Sequence, residues 1–194
     1  MKRILIIGLL PFLLFGCKSR DDAMNRLLSL REELLQSSSV SFNTEITADY
    51  GEEFYTFSML CSTSGSGEII FTVLEPESIR DIRGTIDQQG GSITFDDQIL
   101  SFDTMAEGRI SPVSAPYVMM KALRGGYISS VSKANDAYLA IIDDTYDENA
   151  LNVQMQFRND LPVYAEIFWQ QRRILTLMIE DFQVIQQTVN QSIE

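Results

Sequence analysis

The sequence predicts an α+β fold in which one curved antiparallel sheet wraps over an N-terminal amphipathic helix, with a second short helix later in the chain. Leucines recur at three-to-four spacing over residues 24–35, which predicts a helix with one apolar side. From residue 40 onward apolar and polar residues alternate, which predicts half-buried strands. The sheet offers the surface that must bury the helix. A closed barrel with the helix as a lid is the alternative.

The elements follow one another without a linker that would divide the chain. The first helix begins near Met24 and ends at the serines of 37–39. The second helix is opened by two prolines, covers Tyr117 to Leu123 and stops at Gly125-Gly126. The predicted strands cover residues 40–50, 54–61, 68–74, 79–86, 92–95, 98–102, 138–142, 151–157, 163–169 and 174–182.

Composition excludes several classes of function. The 194 residues include 15 Lys and Arg against 27 Asp and Glu, a formal charge of −12. Such an acidic surface repels phosphate backbones, so we expect no nucleic-acid partner. The chain contains no histidine. This excludes Ser-His-Asp and Cys-His catalysis, histidine zinc sites and imidazole pH switches within this chain.

The first seventeen residues have the pattern of an export signal. Lys2 and Arg3 precede an apolar run, residues 4–15, that is too short to span a bilayer comfortably. Gly16 then stands directly before Cys17, and this segment resembles the lipobox of bacterial lipoproteins. The resemblance implies cleavage after Gly16, diacylglyceryl modification of Cys17, and a lipid anchor in the cell membrane on the extracytoplasmic side. An ordinary secretory signal that contains a cysteine is the alternative.

The predicted organisation has four parts: a signal peptide (1–16), a lipidated tether (17–22), a single domain (23–184) and a polar tail (185–194). If Cys17 carries lipid, Cys61 is left without a disulfide partner in the chain. Cys61 falls on the apolar phase of a predicted strand, so we expect a small buried hydrophobic residue rather than a reactive thiol.

The order of these features suggests a family. The stretch Phe71–Arg80 contains Pro76 between two predicted strands, an acidic turn precedes Gln98–Phe102, and the last strands end at Asp181-Phe182. This arrangement resembles the LolA/LolB-like lipoprotein-carrier superfamily. The resemblance implies a half-open antiparallel barrel around a helix, with an apolar concavity for acyl chains or a partner's hydrophobic segment. Because Cys17 predicts an anchor, the chain is more similar to lipid-anchored members, including spore-germination-type lipoproteins of Gram-positive bacteria that serve cell-wall enzymes.

Acidic pairs are the first candidates for chemistry. Glycoside hydrolysis needs two carboxylates that face one cleft, whereas adjacent strand residues point to opposite faces. We therefore interpret the pairs as solvated turn residues: Glu52-Glu53, Asp96-Asp97, Asp143-Asp144 and Asp147-Glu148.

Two short motifs are weaker evidence for chemistry than the acidic pairs. Asp143, Thr145 and Asp147 alternate as calcium ligands do, but the glycine and the closing glutamate of a calcium loop are missing. Ser130 and Lys133 match the S-x-x-K string of penicillin-interacting enzymes, without the further motifs that this chemistry needs. We expect no metal site, no cofactor and no catalytic residue.

The apolar faces are the more serious candidate for a site. Methionine adapts to irregular guests, so a Met-rich concavity suits acyl chains, while an ordinary core packed against the first helix explains the same residues. The residues in question are Met24, Met59, Met105, Met119, Met120, Met155, Met178, Phe57, Phe71, Phe157, Trp169 and Phe182.

Three hypotheses for function follow. The leading one is a membrane-anchored extracytoplasmic protein that binds a lipid or a hydrophobic segment without catalysis. The second is a scaffold or activator of a cell-envelope enzyme, which contacts its partner through an exposed strand edge or loop. The third is an enzyme built on the carboxylates Asp96, Asp97, Asp143 and Asp144.

Overall fold

Two helices and thirteen strands occupy the residues that the computed structural model describes, which are 18–95, 98–103, 105–106, 109–147 and 150–186. The helices are α1 (Lys18–Gln36) and α2 (Ala115–Gly125). The strands are β1 (Ser37–Asp49), β2 (Phe54–Thr63), β3 (Ile69–Glu75), β4 (Arg83–Asp87), β5 (Gly90–Phe95), β6 (Gln98–Phe102), β7 (Met105–Ala106), β8 (Arg109–Ile110), β9 (Tyr127–Ala134), β10 (Ala137–Asp143), β11 (Asn152–Arg158), β12 (Leu161–Trp169) and β13 (Arg172–Gln186).

Eleven strands form one antiparallel sheet in the order β6-β5-β4-β3-β2-β1-β13-β12-β11-β10-β9, and β7 pairs with β8 separately. Strands β6 and β9 are the two ends of the sheet and do not pair with each other. The predicted α+β class and antiparallel sheet are confirmed. Because the sheet is open, the closed-barrel alternative is wrong.

The alternation of β1 defines two faces of the sheet. Phe42 and Ile46 are buried, whereas Asn43 and Glu45 point to the other side and are more accessible. We call the side of Phe42 the inner face, because it packs against the helices and the core. Strand β1 lies at the middle of the sheet, where it pairs with β2 on one side and with β13 on the other.

The helices lie against one part of the sheet. Helix α1 buries Ala23, Leu27, Leu30 and Leu34, and it contacts α2, β9, β1 and β13. Helix α2 contacts β10, β12 and β13. Within the described part of the chain, no helix is both long and apolar enough to cross a membrane. Enclosure of α1 by the sheet stays a prediction.

The structure differs from the sequence prediction at both ends of the domain. Helix α1 already includes residues 18–22, which we assigned to the tether, because acidic residues stabilise the positive end of a helix dipole. At the other end, Ile185 pairs with Ser39 and Gln186 with Ser37. These two residues therefore belong to β13 rather than to the polar tail.

The segment after Pro76 also differs, since residues 79–82 were expected to be extended. Residues 77–79 instead form a turn of 3-10 helix, and β4 begins only at Arg83. Asp81 adopts a left-handed conformation with φ of 67°. Its N–H donates to the carbonyl of Val73, which closes the loop back onto β3. Proline has no N–H for a sheet ladder, so the strand cannot continue through it.

Candidate functional site

The inner face is filled by side chains along most of the sheet. Met59 and Met155 come from strands, Met119 and Met120 from α2, and all four are buried. Their interpretation as core is confirmed, together with that of Phe57, Phe71, Phe157 and Phe182. Met24 and Trp169 are partly buried against this core, Met178 is exposed, and the side chain of Met105 lies outside the described part.

The strand pairing shows which residues of β5 and β6 lie on the inner face. Buried Phe71 of β3 pairs with Gly84, Gly84 pairs with Ile93, and Ile93 pairs with Leu100. Directly paired residues share a face, so Ile93 and Leu100 lie on the inner face. Two residues along each strand, Phe95 and Phe102 lie on the same side. The hairpin therefore presents an apolar row there.

This apolar row is not covered as the rest of the inner face is. Ile93 and Phe102 are half-buried, but Phe95 is 57% exposed and Leu100 is 60% exposed. In the described part of the chain, the main contacts of α1 and α2 with the sheet are to β1, β9, β10, β12 and β13 rather than to β5 and β6. Large apolar side chains that stay exposed next to one another mark interaction sites in soluble proteins. We call Ile93, Phe95, Leu100 and Phe102 the open row.

Two glycines shape the floor beside the open row. A β-carbon at Gly91 would lie 2.2 Å from the ring of Phe102, and one at Gly84 would lie 2.5 Å from the ring of Phe71. Each ring thus lies directly on the backbone of the neighbouring strand, a packing that only glycine permits.

A second concave region lies between α2, the β2–β3 loop and the β4–β5 turn. It is a groove of about 660 Å³, and its lining includes Leu35, Glu68, Asp87, Tyr117, Lys121 and Arg124. Burial, followed by the negative charges of Asp87 and Asp144, raises the pKa of Tyr117 above its usual value. Asp87 ends β4 and Asp144 follows β10, so the strands on either side of β1 and β13 both approach Tyr117 of α2. We call these two parts of the sheet, β2–β6 and β9–β12, its two arms.

The helices cap each other through two arginines. The Arg31 guanidinium donates from Nε to the carbonyl oxygen of Leu123 at 2.8 Å, and from Nη2 to that of Ala122 at 3.2 Å. In return, Arg124 Nη2 donates to the carbonyl of Leu34 at 3.3 Å. Carbonyls at a helix C-terminus lack partners within the helix, and cations there are favourable. The exchange therefore fixes α1 to α2.

The acidic pair at the end of β10 holds a turn rather than a cleft. Asp143 accepts hydrogen bonds from Ser129 Oγ and Asn152 Nδ2, both at 2.8 Å. Asp144 accepts from the backbone N–H of Leu151 at 2.7 Å and from Lys121 Nζ at 3.0 Å. These bonds use the carboxylates to close the β10–β11 loop against α2. They explain the acidic residues without a catalytic role.

The remaining candidates have structural roles or lie outside the described residues. Ser130 and Lys133 lie within β9, where they pair with Ile141 and Tyr138, so the serine does not begin a helix as the S-x-x-K chemistry requires. In the described ranges no group of three acidic or cysteine side chains is arranged to hold a metal ion. Cys17, Asp96-Asp97 and Glu148 lie outside those ranges.

Cys61 is the buried residue that the sequence predicted. It lies on the inner face of β2, opposite Phe42 of β1 and Phe71 of β3. Burial raises the pKa of its thiol well above the usual value, which suppresses the nucleophilic thiolate. Glu52 and Glu53 are exposed in the β1–β2 turn, where Glu53 accepts a hydrogen bond from the hydroxyl of Tyr55.

The open row is the feature that the sequence analysis missed. The signal was present in the pair Ile99-Leu100, since consecutive apolar residues in a strand place one side chain on each face. A strand at the middle of a sheet buries at most one such residue unless both faces are covered. Two consecutive apolar residues in a five-residue strand therefore indicate that at least one apolar side chain is exposed and could bind a partner.

No protein-family model matches the chain, and no curated protein matches it in sequence. Solved structures do align with it over most of its length. A LolA superfamily protein from Nitrosomonas europaea is 13% identical, with 85% of this chain and 94% of that chain aligned and a TM-score of 0.46.

Two further structures align with the chain at lower scores. The lipoprotein LppX from Mycobacterium tuberculosis is 10% identical, with 82% of this chain and 95% of that chain aligned and a TM-score of 0.38. The MucA/MucB complex of Pseudomonas aeruginosa contains a chain that is 13% identical, with 84% of this chain and 56% of that chain aligned and a TM-score of 0.38. These are similarities of fold alone.

Proposed function

We propose that the protein is a lipid-anchored, extracytoplasmic binding protein that holds an acyl chain or a hydrophobic segment on the open row, without catalysis. The observation that supports the proposal is the exposure of Phe95 and Leu100 on the inner face, which is buried along most of the sheet. The row continues the apolar core surface at its edge, so a ligand laid along it extends the packing of the sheet.

The size of the surface sets the strength of binding. Covering one large apolar side chain contributes about 1.5–3 kcal/mol. Two such side chains, Phe95 and Leu100, supply several kcal/mol before the cost of ordering the ligand. We expect weak, exchangeable binding, which suits a protein that passes a ligand on or senses it rather than storing it.

The first test concerns the anchor on Cys17. Replacing Cys17 with Ser removes the lipidated sulfur, so the protein should leave the membrane fraction of the producing bacterium. Cys61→Ser is the matched control, because Cys61 is buried in the core and should have no effect on the location of the protein. Retention of the Cys17→Ser protein in the membrane would contradict the anchor.

The second test concerns the ligand. A fluorescent fatty acid should bind the purified protein and lose affinity when Phe95 and Leu100 are both replaced by Ser. The matched control replaces Phe54 and Leu60, which are exposed apolar residues of β2 away from the open row. Equal loss in both double variants would show that any exposed apolar residue binds the probe, and would remove the open row as the site.

A scaffold or activator of a cell-envelope enzyme is the second candidate. The filled inner face supports it, because Met59, Met119, Met120 and Met155 occupy the places where an acyl chain would otherwise lie. This candidate predicts one specific protein crosslinked to the open row in cells, and no copurified lipid. Native mass spectrometry of the protein taken from membranes separates the two, since only a lipid binder carries a non-covalent acyl lipid in addition to the lipid attached to Cys17, and that lipid is lost on denaturation.

A further inference from the structure

The two end strands of the sheet differ in how their outer edges are protected. β9 contacts α1 and contains Lys133, and both a covering helix and an edge lysine discourage pairing with another strand. β6 has neither feature. It contains no charge, no proline and no bulge in its pairing with β5, and in the described residues no strand lies on its other side.

The free backbone groups of β6 can be assigned from the hairpin. Asp87 pairs with Gly90 across the two-residue turn between β4 and β5, and the pair that closes such a turn is hydrogen-bonded. Gly90, Ser92 and Thr94 therefore direct their backbone groups toward β4, whereas Gly91, Ile93 and Phe95 direct theirs toward β6. Bonded and non-bonded pairs then alternate along an antiparallel ladder. Ile99 and Ser101 consequently direct their N–H and C=O groups away from β5. These groups form a template for one further strand.

The side chains of β6 suit a partner that is apolar in its middle. Leu100 belongs to the open row on the inner face, while Ile99 lies on the opposite face and is 71% exposed. A strand added beside β6 would place side chains next to both residues. Cross-strand side-chain contacts of this kind stabilise the pairing of two strands.

Charge indicates what flanks the apolar middle. β6 is preceded by Asp97 and followed by Asp103 in a chain whose formal charge is −12. A second copy of this chain, paired antiparallel to β6, would bring acidic ends together, and like charges directly opposite one another destabilise a sheet. A segment with Lys or Arg at both ends would instead be attracted.

We propose that β6 binds, by antiparallel strand addition, an extended segment of another protein that is apolar in the middle and basic at both ends. The edge is available whether or not a lipid covers the open row, so this inference is independent of the proposed ligand. Backbone hydrogen bonds to Ile99 and Ser101 supply the affinity, and the flanking charges select the partner.

The test uses two synthetic peptides and the full chain, captured on a sensor surface through a carboxy-terminal tag. In the first peptide, alternating Val and Thr are flanked by two lysines at each end, and in the second the lysines are replaced by glutamates. We expect the basic peptide to bind at least about tenfold more tightly and to weaken as salt screens the charges. Equal binding of the two peptides, or no binding of the basic peptide at about 1 mM, would overturn the proposal.

Variants of β6 test the backbone and the charge separately. Ser101→Pro removes one outward N–H and should weaken the basic peptide at least about tenfold, whereas Ser101→Thr keeps the N–H and should bind as the parent does. Should Ser101→Pro unfold, the exposed Ile99 gives a second pair, in which Ile99→Lys weakens the peptide and Ile99→Glu strengthens it. Strand addition by a basic segment would be refuted if the basic peptide bound all the Ser101 and Ile99 variants equally well. A dimer of this chain that depends on β6 would also refute it. Lipid binding by the Ser101→Pro protein should persist, which separates this result from the proposed ligand.

Discussion

The two ends of the open sheet are built from the same alternation of apolar and polar residues and differ in what covers them. At the end formed by β9, β10 and β11, the inner residues Val131, Ala140 and Met155 are all buried. At the end formed by β5 and β6, the inner residues Phe95 and Leu100 are more than half exposed. We call them the covered end and the uncovered end.

The difference arises from the reach of the two helices. α1 contacts β9, and α2 contacts β10, β12 and β13, so both helices lie toward the covered end. Arg31 and Arg124 then fix the helices to each other at that position. An apolar face that none of the described helices and strands covers is available to a ligand. The comparison therefore separates residues that stabilise the fold from residues that bind.

The largest expected effect compares the same substitution at the two ends. Phe157→Ala at the covered end should lower the free energy of unfolding by about 3–5 kcal/mol, because it leaves a cavity and removes the ring stacked on Tyr138. Phe95→Ala at the uncovered end should cost less than about 1 kcal/mol, since its ring is largely in solvent. Urea unfolding measures both. An equal decrease in the free energy of unfolding for the two variants would contradict the difference between the covered and uncovered ends.

A smaller effect is expected for the arginines that hold the helices. Arg31→Met should lower the free energy of unfolding by about 1–3 kcal/mol, because the carbonyl of Leu123 loses its arginine donor and that of Ala122 keeps only the N–H of Gly126. Arg26→Met is the matched control on the same helix, where an exposed ion pair with Asp160 contributes less than about 1 kcal/mol. If the two variants unfold at the same urea concentration, the hydrogen bonds of Arg31 to the carbonyls of α2 do not stabilise the covered end.

The smallest effect is a pH dependence at the boundary between the arms. The pKa of Tyr117 is raised in the folded state, so its contribution to stability is present below the unfolded value of about 10 and is lost as the pH rises through the folded value. Tyr117→Phe should therefore lose less stability than the parent above about pH 10. Thermal melts between about pH 8 and 11 measure this. Parallel curves for the two proteins would show that neither burial nor the charges of Asp87 and Asp144 raise the pKa of Tyr117 in the folded state.

Local patterns explain how much of this architecture the sequence predicts. Strict alternation predicts β1, and the prolines at 112 and 116 predict the start of α2, because both depend on neighbours in the chain. β9 was missed since its pairing with β10 shifts register between Ile128 and Ser130, which breaks the alternation. The pair Ile99-Leu100 indicates that at least one of the two side chains is exposed, but the exposure of Leu100 on the inner face depends on where helices distant in sequence end.

The candidate site shows the same limit. The acidic pair Asp143-Asp144 was correctly assigned to a turn, but its bonds to Ser129 and Lys121 require contacts between elements that no local pattern specifies. The burial of Cys61 was predictable from its phase in β2, a local property. Assignments that depend on one strand hold, and those that depend on how helices and sheet meet need the three-dimensional structure.

The most direct test of the account is to map where a hydrophobic ligand contacts the protein. A photoactivatable fatty acid is added to membranes that contain the full chain, and the crosslinked peptide is located by mass spectrometry. We predict that the label falls on the hairpin of residues 90–103 and is lost when Phe95 and Leu100 are replaced by Ser. A label on the groove beside α2, at Tyr117 or Met120, or a label that survives the double substitution, would contradict the claim that the uncovered end is the binding site.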